Sequence, residues 1–240
     1  MLGIIICLSG CKKDDTEKKD NTEYSAPIIF NPSITYGSMS DQDGNTYKTV
    51  TIGTQTWMAE NLKTTKYNDG TTIPLLTSDT GCLNNVSSGY YWPNNSSATY
   101  KDIYGALYNW YAVNIGKLAP NGWHIPTDAE WLTLIDYCGG DSIAGDKLKE
   151  ADTTHWCTPY WLEFATNGSG FTALPGGARG YEFLYIGYYG DWWTTTEDST
   201  NGNPLYNGNI WYREMCWLHQ GAMRFSTDKC VSFSVRCVKD

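Results

Sequence analysis

Thr127-Asp128-Ala129-Glu130-Trp131-Leu132-Thr133-Leu134-Ile135-Asp136-Tyr137-Cys138-Gly139-Gly140 reads as one complete amphipathic helix with its own start and stop. Thr127 and Glu130 stand at capping-box spacing, so hydroxyl and carboxylate each satisfy a backbone N–H that the first turn leaves unpaired. Trp131, Leu134, Ile135 and Cys138 form an apolar stripe at helical spacing, and Gly139-Gly140 ends it. Toward the N-terminus, Ile103, Ala106, Leu107, Trp110, Tyr111 and Asn114 recur at the same spacing and predict a helix over about 102–114, closed by Gly116 and Pro120. Toward the C-terminus a short third helical stretch is predicted from Ile143 to Glu150.

These helices lie between stretches with strand character. Tyr47 to Ile52 alternates and is rich in β-branched residues, with Asp43-Gly44 before it and Gly53 after it as turns, and Thr56 to Ala59 follows as a second strand. Residues 75–100 are rich in Asn, Ser and Gly around Tyr90-Tyr91-Trp92 and predict a long surface excursion. From Ala165 onward, Phe171–Leu174, Trp192–Thr196, Ile210–Arg213, Ala222–Phe225 and Val231–Arg236 read as short strands separated by Gly- and Asn-rich turns. There is no internal repeat and no βαβ alternation. Strands, then helices, then a run of strands predict a single α+β domain.

The chain has 240 residues and a formal charge of −9. Its 17 Lys and Arg do not gather into the basic stripe that a nucleic-acid footprint requires, so nucleic-acid binding is not expected. Of eight cysteines, Cys82, Cys138, Cys157, Cys216, Cys230 and Cys237 belong to the folded part. None forms a Cys-x-x-Cys and no His stands beside them at zinc-finger spacing, so at least one disulfide in an oxidising compartment is expected and no metal or cofactor is. Asp41-x-Asp43-Gly44-Asn45 has the look of a calcium loop but lacks the later ligands and the closing glutamate, and reads as a hairpin turn.

The N-terminus carries an address. Leu2 to Leu8 is apolar, too short to span a bilayer, and runs into Leu8-Ser9-Gly10-Cys11. It reads as the end of a signal peptide over residues 1–11, and the tetrapeptide resembles the bacterial lipobox, which implies lipidation of Cys11. The cationic segment expected first in a signal peptide is missing, which predicts a start further upstream. Lys12 to Glu23 is charged with no apolar residue, and residues 12–40 are expected to be a flexible tether and lead-in to a domain at 41–240. Such a tail resembles those of Bacteroidetes-type surface lipoproteins. The expected location is therefore the outer membrane or cell surface, with the membrane reached only through a lipid anchor.

Six segments carry a family resemblance: Asp41-x-Asp-Gly-Asn-x-Tyr, Thr56-Trp-Met-Ala-Glu-Asn-Leu-Lys63, Tyr104-Gly-Ala-Leu-Tyr-Asn-Trp-Tyr-Ala-Val113, Gly122-Trp-His-Ile-Pro-Thr-Asp-Ala-Glu-Trp131, Gly170-Phe-Thr-Ala-Leu-Pro-Gly-Gly177 and Ser234-Val-Arg-Cys-Val-Lys-Asp240. In this order, from about residue 41 to 240, they resemble the Fibrobacter succinogenes major paralogous domain, which implies a secreted or lipid-anchored bacterial protein and leaves its molecular function open. The Pro-Thr-Asp-Ala-Glu-Trp helix start also resembles the sulfatase-modifying, formylglycine-generating group. That likeness implies a C-type-lectin-like fold with paired terminal strands and two helices flanking a twisted, mostly antiparallel sheet. Where the family commonly has Leu-Cys-Pro, this chain has Leu118-Ala119-Pro120. The resemblance thus implies that Cys237 has lost its partner and is free or paired anew, for instance with Cys230.

Catalytic constellations are not apparent. His124 reads as a structural hydrogen-bonding residue, and His155, beside Trp156 and Cys157, lacks the orienting third group of a Cys/His dyad. Gly176 to Gly180 is glycine-rich without a following helix or a P-loop lysine. Cys230 and Cys237 are spaced more widely than the reactive pair of the sulfatase-modifying enzymes, and none of the 26 acids can be singled out as a pair for sugar hydrolysis. The aromatic excess instead favours a non-catalytic module that binds glycan or protein, with an unrecognised or degenerate enzyme and a structural envelope protein as the alternatives. The expected ligand platform comprises Arg179, Tyr188, Tyr189, Trp192, Trp211 and Arg213, with Trp192 and Trp193 sent to opposite faces of a strand and Trp211 and Arg213 sharing one.

The address can be tested directly. Replacing Cys11 with Ser is expected to move the protein from the detergent phase to the soluble fraction. Unchanged partitioning would show that Cys11 carries no anchor.

Overall fold

A computed structural model describes residues 25–77, 82, 87–157, 165–200 and 209–240. The lipobox and the whole charged tail, Lys12 to Glu23, lie outside the described residues. The elements are β1 (Gly37–Ser40), β2 (Thr46–Ile52), β3 (Gln55–Met58), β4 (Tyr90–Tyr91), α1 (Ser97–Tyr104), β5 (Leu107–Asn109), α2 (Trp110–Asn114), β6 (Trp123–His124), α3 (Asp128–Tyr137) and α4 (Ala144–Leu148). The second half adds β7 (Ala178–Arg179), β8 (Phe183–Leu184), β9 (Tyr189–Asp198), β10 (Asn209–Cys216), β11 (Met223–Asp228), β12 (Ser232–Phe233) and β13 (Val238–Lys239). This is an α+β architecture. Among the described residues its strands form three sheets rather than one, ordered β1-β2-β3-β13-β6, β11-β10-β9 and β4-β5-β12-β7-β8. All strand pairs are antiparallel, and the first sheet joins N-terminal β3 to C-terminal β13 through Trp57 opposite Val238.

Helix α3 forms where its capping box predicts. Thr127 Oγ1 accepts the Glu130 N–H at 3.2 Å, and Glu130 Oε2 accepts the Thr127 N–H at 2.8 Å. The helix expected over 102–114 is instead two helices with a strand between them. Gly105, at φ 72°, ends α1 against Leu62, whose carbonyl would lie 2.7 Å from any added Cβ. The Asn109 side chain then restarts the helix by accepting the Ala112 N–H at 3.1 Å. The apolar residues here look helically spaced because the segment is buried on every side, and β5 uses it to pair with both β4 and β12.

Burial corrects two further expectations. Tyr90, Tyr91 and Trp92 are core residues rather than the tip of a surface excursion, since β4 pairs with β5 and the Tyr90 and Trp92 rings meet edge to face at 5.1 Å. Trp192 and Trp193 do point to opposite faces, but both faces are covered. Trp192 joins Trp57, Trp131 and Phe171 in one apolar cluster, and Trp193 joins Tyr108, Ile210 and Phe233 in another. Residues 25–36 also pack on the body, so the folded unit begins before residue 41. The reason is a buried clamp: Glu150 Oε1 accepts the Ile29 N–H at 2.6 Å, Glu150 Oε2 meets His155 Nδ1 at 2.6 Å, and His155 Nε2 donates to the Ala26 carbonyl at 3.0 Å.

Two expected strands are mostly irregular because their carbonyls are taken outside a ladder, by side chains in one and by backbone N–H groups of other segments in the other. Phe171–Leu174 makes one bridge, Ala173 opposite Lys149. The Arg236 guanidinium takes the carbonyls of Phe171 and of Thr172, the latter at 2.7 Å, while the Trp156 indole takes that of Ala173 at 2.9 Å. Val231–Arg236 keeps ladder geometry at β12 and then makes a single bridge, Ser234 opposite Trp192. Beyond it the chain crosses between sheets, giving the Ser234 carbonyl to Trp193 and the Val235 carbonyl to Leu62. Arg236 Nε also donates to Asn61 Oδ1 at 2.8 Å, and the same oxygen accepts the Trp192 indole N–H at 3.0 Å.

A disulfide joins Cys82 to Cys230, so the suggested pairing of Cys230 with Cys237 does not occur. Cys237 is a buried thiol beside Met58, whose sulfur accepts its backbone N–H at 3.4 Å.

Arg236→Ala would leave a buried set of acceptors short of donors, a loss of about 3–5 kcal/mol when one partner of such a network is removed. Asn61→Ala is expected to cost less, and the double variant less than the sum. Urea denaturation of the three variants checks this. Additivity would mean that the two residues do not act as a unit.

Candidate functional site

The structure does not gather the six expected ligand residues into one platform. Arg179 is buried, donates to the Tyr181 carbonyl at 2.8 Å and stacks 4.5 Å from the Phe183 ring. Trp192 is core. Arg213 is buried and pairs with Asp128 at 3.0 Å and Asp141 at 3.4 Å, tying β10 to the start of α3. These three face inward because each has partners there that offset its desolvation. Trp211 and Arg213 share a face as alternation requires, but the Arg224 guanidinium covers the Trp211 ring at 3.5 Å. Tyr188 packs on Trp217 and Tyr189 on Tyr185, each pair at 5.4 Å. Tyr189 stands opposite Cys216, five positions along β10 from Trp211 and so about 17 Å away.

Register brings a different set together around Tyr189. On one face of the β9–β10–β11 sheet, Tyr189 stands opposite Cys216, Asp191 opposite Glu214, and Trp193 opposite Tyr212. From β11, Met223 stands opposite Glu214 and Phe225 opposite Tyr212. Directly opposed Cβ atoms lie about 5 Å apart, so Asp191 and Glu214 are immediate neighbours. An aromatic stack floors the face: Phe233 lies 4.6 Å from Trp193 and 4.6 Å from Tyr212, which in turn lies 6.0 Å from Phe225. Phe225 is 40 % and Met223 37 % exposed, so the stack runs from core to solvent. On the other face of β9, Gly190 leaves room for the Trp192 ring, which would lie 2.3 Å from any added Cβ.

The turn before β9 completes the rim. Tyr185 adopts φ 61°, a left-handed conformation uncommon for a bulky residue, and its carbonyl accepts the N–H of Tyr188 and of Tyr189. Gly187 is fixed on both sides, donating to the Pro175 carbonyl at 3.0 Å and accepting from Cys157 at 2.7 Å. The result presents the Tyr185 ring outward, 52 % exposed, above Tyr189.

Electrostatically the face is unusual. Asp191 is 5 % exposed, and its Oδ1 has no hydrogen-bond partner among the described residues. Burial, followed by the charge of Glu214, holds its carboxyl well above the usual range, and burial pushes Glu214 up to about 7. The Tyr212 phenol is also raised, by burial and then by both carboxylates. Sequence reading found Tyr189 but missed Asp191 and Glu214, because an acid pair is visible only once register places its members opposite each other.

The other candidate groups have structural work. His124 bridges Glu130 and Asp240, each at 2.7 Å. Burial opposes its charge, but these two partners prevail and raise its pKa. Both ring nitrogens of His155 are taken by the Glu150–Ala26 clamp. Asp41 closes the β1–β2 hairpin by accepting the N–H of Asp43 at 2.9 Å and of Asn45 at 3.0 Å. Among the described residues, no group of three or more His, Cys, Asp or Glu is placed to hold a metal ion.

The acid pair predicts a pH dependence. In the unfolded chain both carboxyls ionise near pH 4, whereas the folded chain still holds their protons. Stability is therefore lost as pH rises from about 4 toward about 7, and Glu214→Gln is expected to flatten that decline. His124 acts in a later window: its contribution is complete below about 6.5 and is lost as pH rises through its raised value. Thermal melts at pH 4.5, 5.5, 6.5 and 8 for Glu214→Gln and His124→Gln separate the two. Parallel profiles for wild type and Glu214→Gln would refute the first assignment.

Comparison with known proteins adds the lineage. No curated protein and no solved structure matches this chain. A family model, the Fibrobacter succinogenes major domain, matches residues 50–239, from within β2 through β13. The match covers most of the chain and takes in both Asn61 and Arg236, and the chain belongs to the Fibrobacter succinogenes major domain family.

Proposed function

We propose that this chain is an exported, non-catalytic binding module on the outer membrane or cell surface, lipid-anchored through Cys11, with a C-type-lectin-like domain that takes glycan or protein ligands. The anchor rests on Leu8-Ser9-Gly10-Cys11 and the charged tail after it. The Cys82–Cys230 disulfide fits an oxidising compartment, and no helix among the described residues is long and apolar enough to cross a membrane. The pairing of β3 with β13 supports the lectin-like reading.

The observation that carries the binding reading is the Asp191–Glu214 pair, set among the rings of Tyr185, Tyr189, Tyr212 and Phe225 on a partly open sheet face. Rigid aromatic rings give contact area at small entropic loss, and carboxyl oxygens accept from sugar hydroxyls or backbone amides. Binding is favoured over catalysis because Asp191 and Glu214 stand side by side on one sheet face, whereas sugar hydrolysis needs two carboxyls facing the substrate from either side.

A glycan array probed with the Cys11→Ser chain tests the reading. Glu214→Ala and Tyr185→Ala are expected to abolish the strongest signals while shifting Tm by no more than a few degrees. Arg224→Ala, on the opposite face, should leave the signals intact. Signals insensitive to both site variants would place binding elsewhere.

A further inference from the structure

The sign of the charge on this face narrows the ligand. Asp191 and Glu214 stand side by side, and no cation among the described residues is directed at them. Arg213 and Arg224 project from the opposite face and share Asp128. Arg179 on β7 is turned to the Tyr181 carbonyl and the Phe183 ring. The Lys149 ammonium donates to the carbonyls of Cys216 and His219, both at 2.7 Å. The remaining titratable groups on the face, Tyr189, Tyr212 and Cys216, are neutral acids that supply no positive charge. An Asp191 oxygen that is buried beneath a half-buried Glu214 is an acceptor for which no described residue supplies a donor, and a ligand bearing several donors would meet that need.

Resting on the binding reading above, we infer that this face recognises a saccharide through a protonated primary amine, the free ammonium of an amino sugar, set over Glu214 and Asp191 between the tyrosine rings. The ammonium offers three donors and a full positive charge to two acids, and the rings add cation–π attraction at the rim. A saccharide fits better than a lysine side chain because the platform is broad. From Tyr212 to Cys216, which stands opposite Tyr189, β10 spans about 14 Å, a width that one alkylammonium chain leaves largely unfilled.

Recognition of a cation here moves a proton. Below about pH 7 Glu214 holds one, as burial dictates, and the arriving ammonium favours the carboxylate. The O–H bond of Glu214 breaks, the proton passes to solvent, and the carboxylate accepts from the bound N–H. Ammonium and carboxylate then form an ion pair with no change in redox state. Binding of a neutral sugar would release no proton.

Isothermal titration of the full-length Cys11→Ser chain at pH 6, in two buffers of different ionisation enthalpy, tests this. The probes are the β-1,4-linked glucosamine tetramer, its fully N-acetylated counterpart, and Nα-acetyl-lysine amide. The glucosamine tetramer is expected to bind at least tenfold more tightly than the acetylated one, with roughly one proton released. Glu214→Gln should lose both the preference and the release, and Tyr185→Ser, at a residue exposed on the rim, should lose affinity but keep the release. Equal binding of the two tetramers, abolished by Tyr185→Ser, would overturn the amine while leaving a glycan module. Tighter binding of the lysine amide would replace the saccharide with a protein partner. Binding by none of the probes would overturn the inference, and with an array also insensitive to the site variants it would overturn the binding reading too.

Discussion

Arg236 is the interaction on which the arrangement of the sheets depends. Its guanidinium is wholly buried and reaches the carbonyls of Met58, Phe171 and Thr172 and the side chain of Asn61. A charge in such a place is tolerable only when acceptors surround it, and here the acceptors come from β3, the segment after it and the irregular stretch before β7. Asn61 extends the set by donating to the Tyr104 carbonyl at 2.9 Å and accepting from Trp192. One residue near the C-terminus therefore fixes β3, the end of α1 and β9 relative to one another. The irregular backbone at Phe171 and Thr172 follows from the same demand, since carbonyls engaged by a guanidinium are not available to a ladder.

What could be read from the sequence follows the range of the interactions involved. The α3 helix was legible because its cap, stripe and stop all lie within fourteen residues, and the β2–β3 hairpin because its turn and alternation are local. The split of the 102–114 segment was not, since it depends on Gly105 meeting Leu62 and on β5 finding β4 and β12. The burial of Tyr90 to Trp92 was hidden for the same reason: polar neighbours in sequence say little about apolar neighbours in space.

The site divides similarly. Tyr189 was legible as part of an aromatic, glycine-punctuated stretch, and the alternation of Trp211 with Arg213 was correct. Yet alternation gives a face and not its exposure, and Trp192 and Arg213 turned out to be covered. Asp191 and Glu214 carry no local signal. Their meaning arises from a cross-strand register between residues 23 positions apart, and from burial that no window of sequence reports.

The Arg236–Asn61 contact also sets a clock. Its partners are 175 positions apart, so at about 5–20 residues per second a ribosome takes about 9–35 s between making one and making the other. Through that interval β3 lacks its β13 neighbour and the buried acceptors lack their guanidinium, so the body cannot close. Contacts of such long range also form slowly once both ends exist. The nascent chain thus spends tens of seconds open. A polypeptide in that condition is still narrow enough to thread a channel, as the proposed export would require.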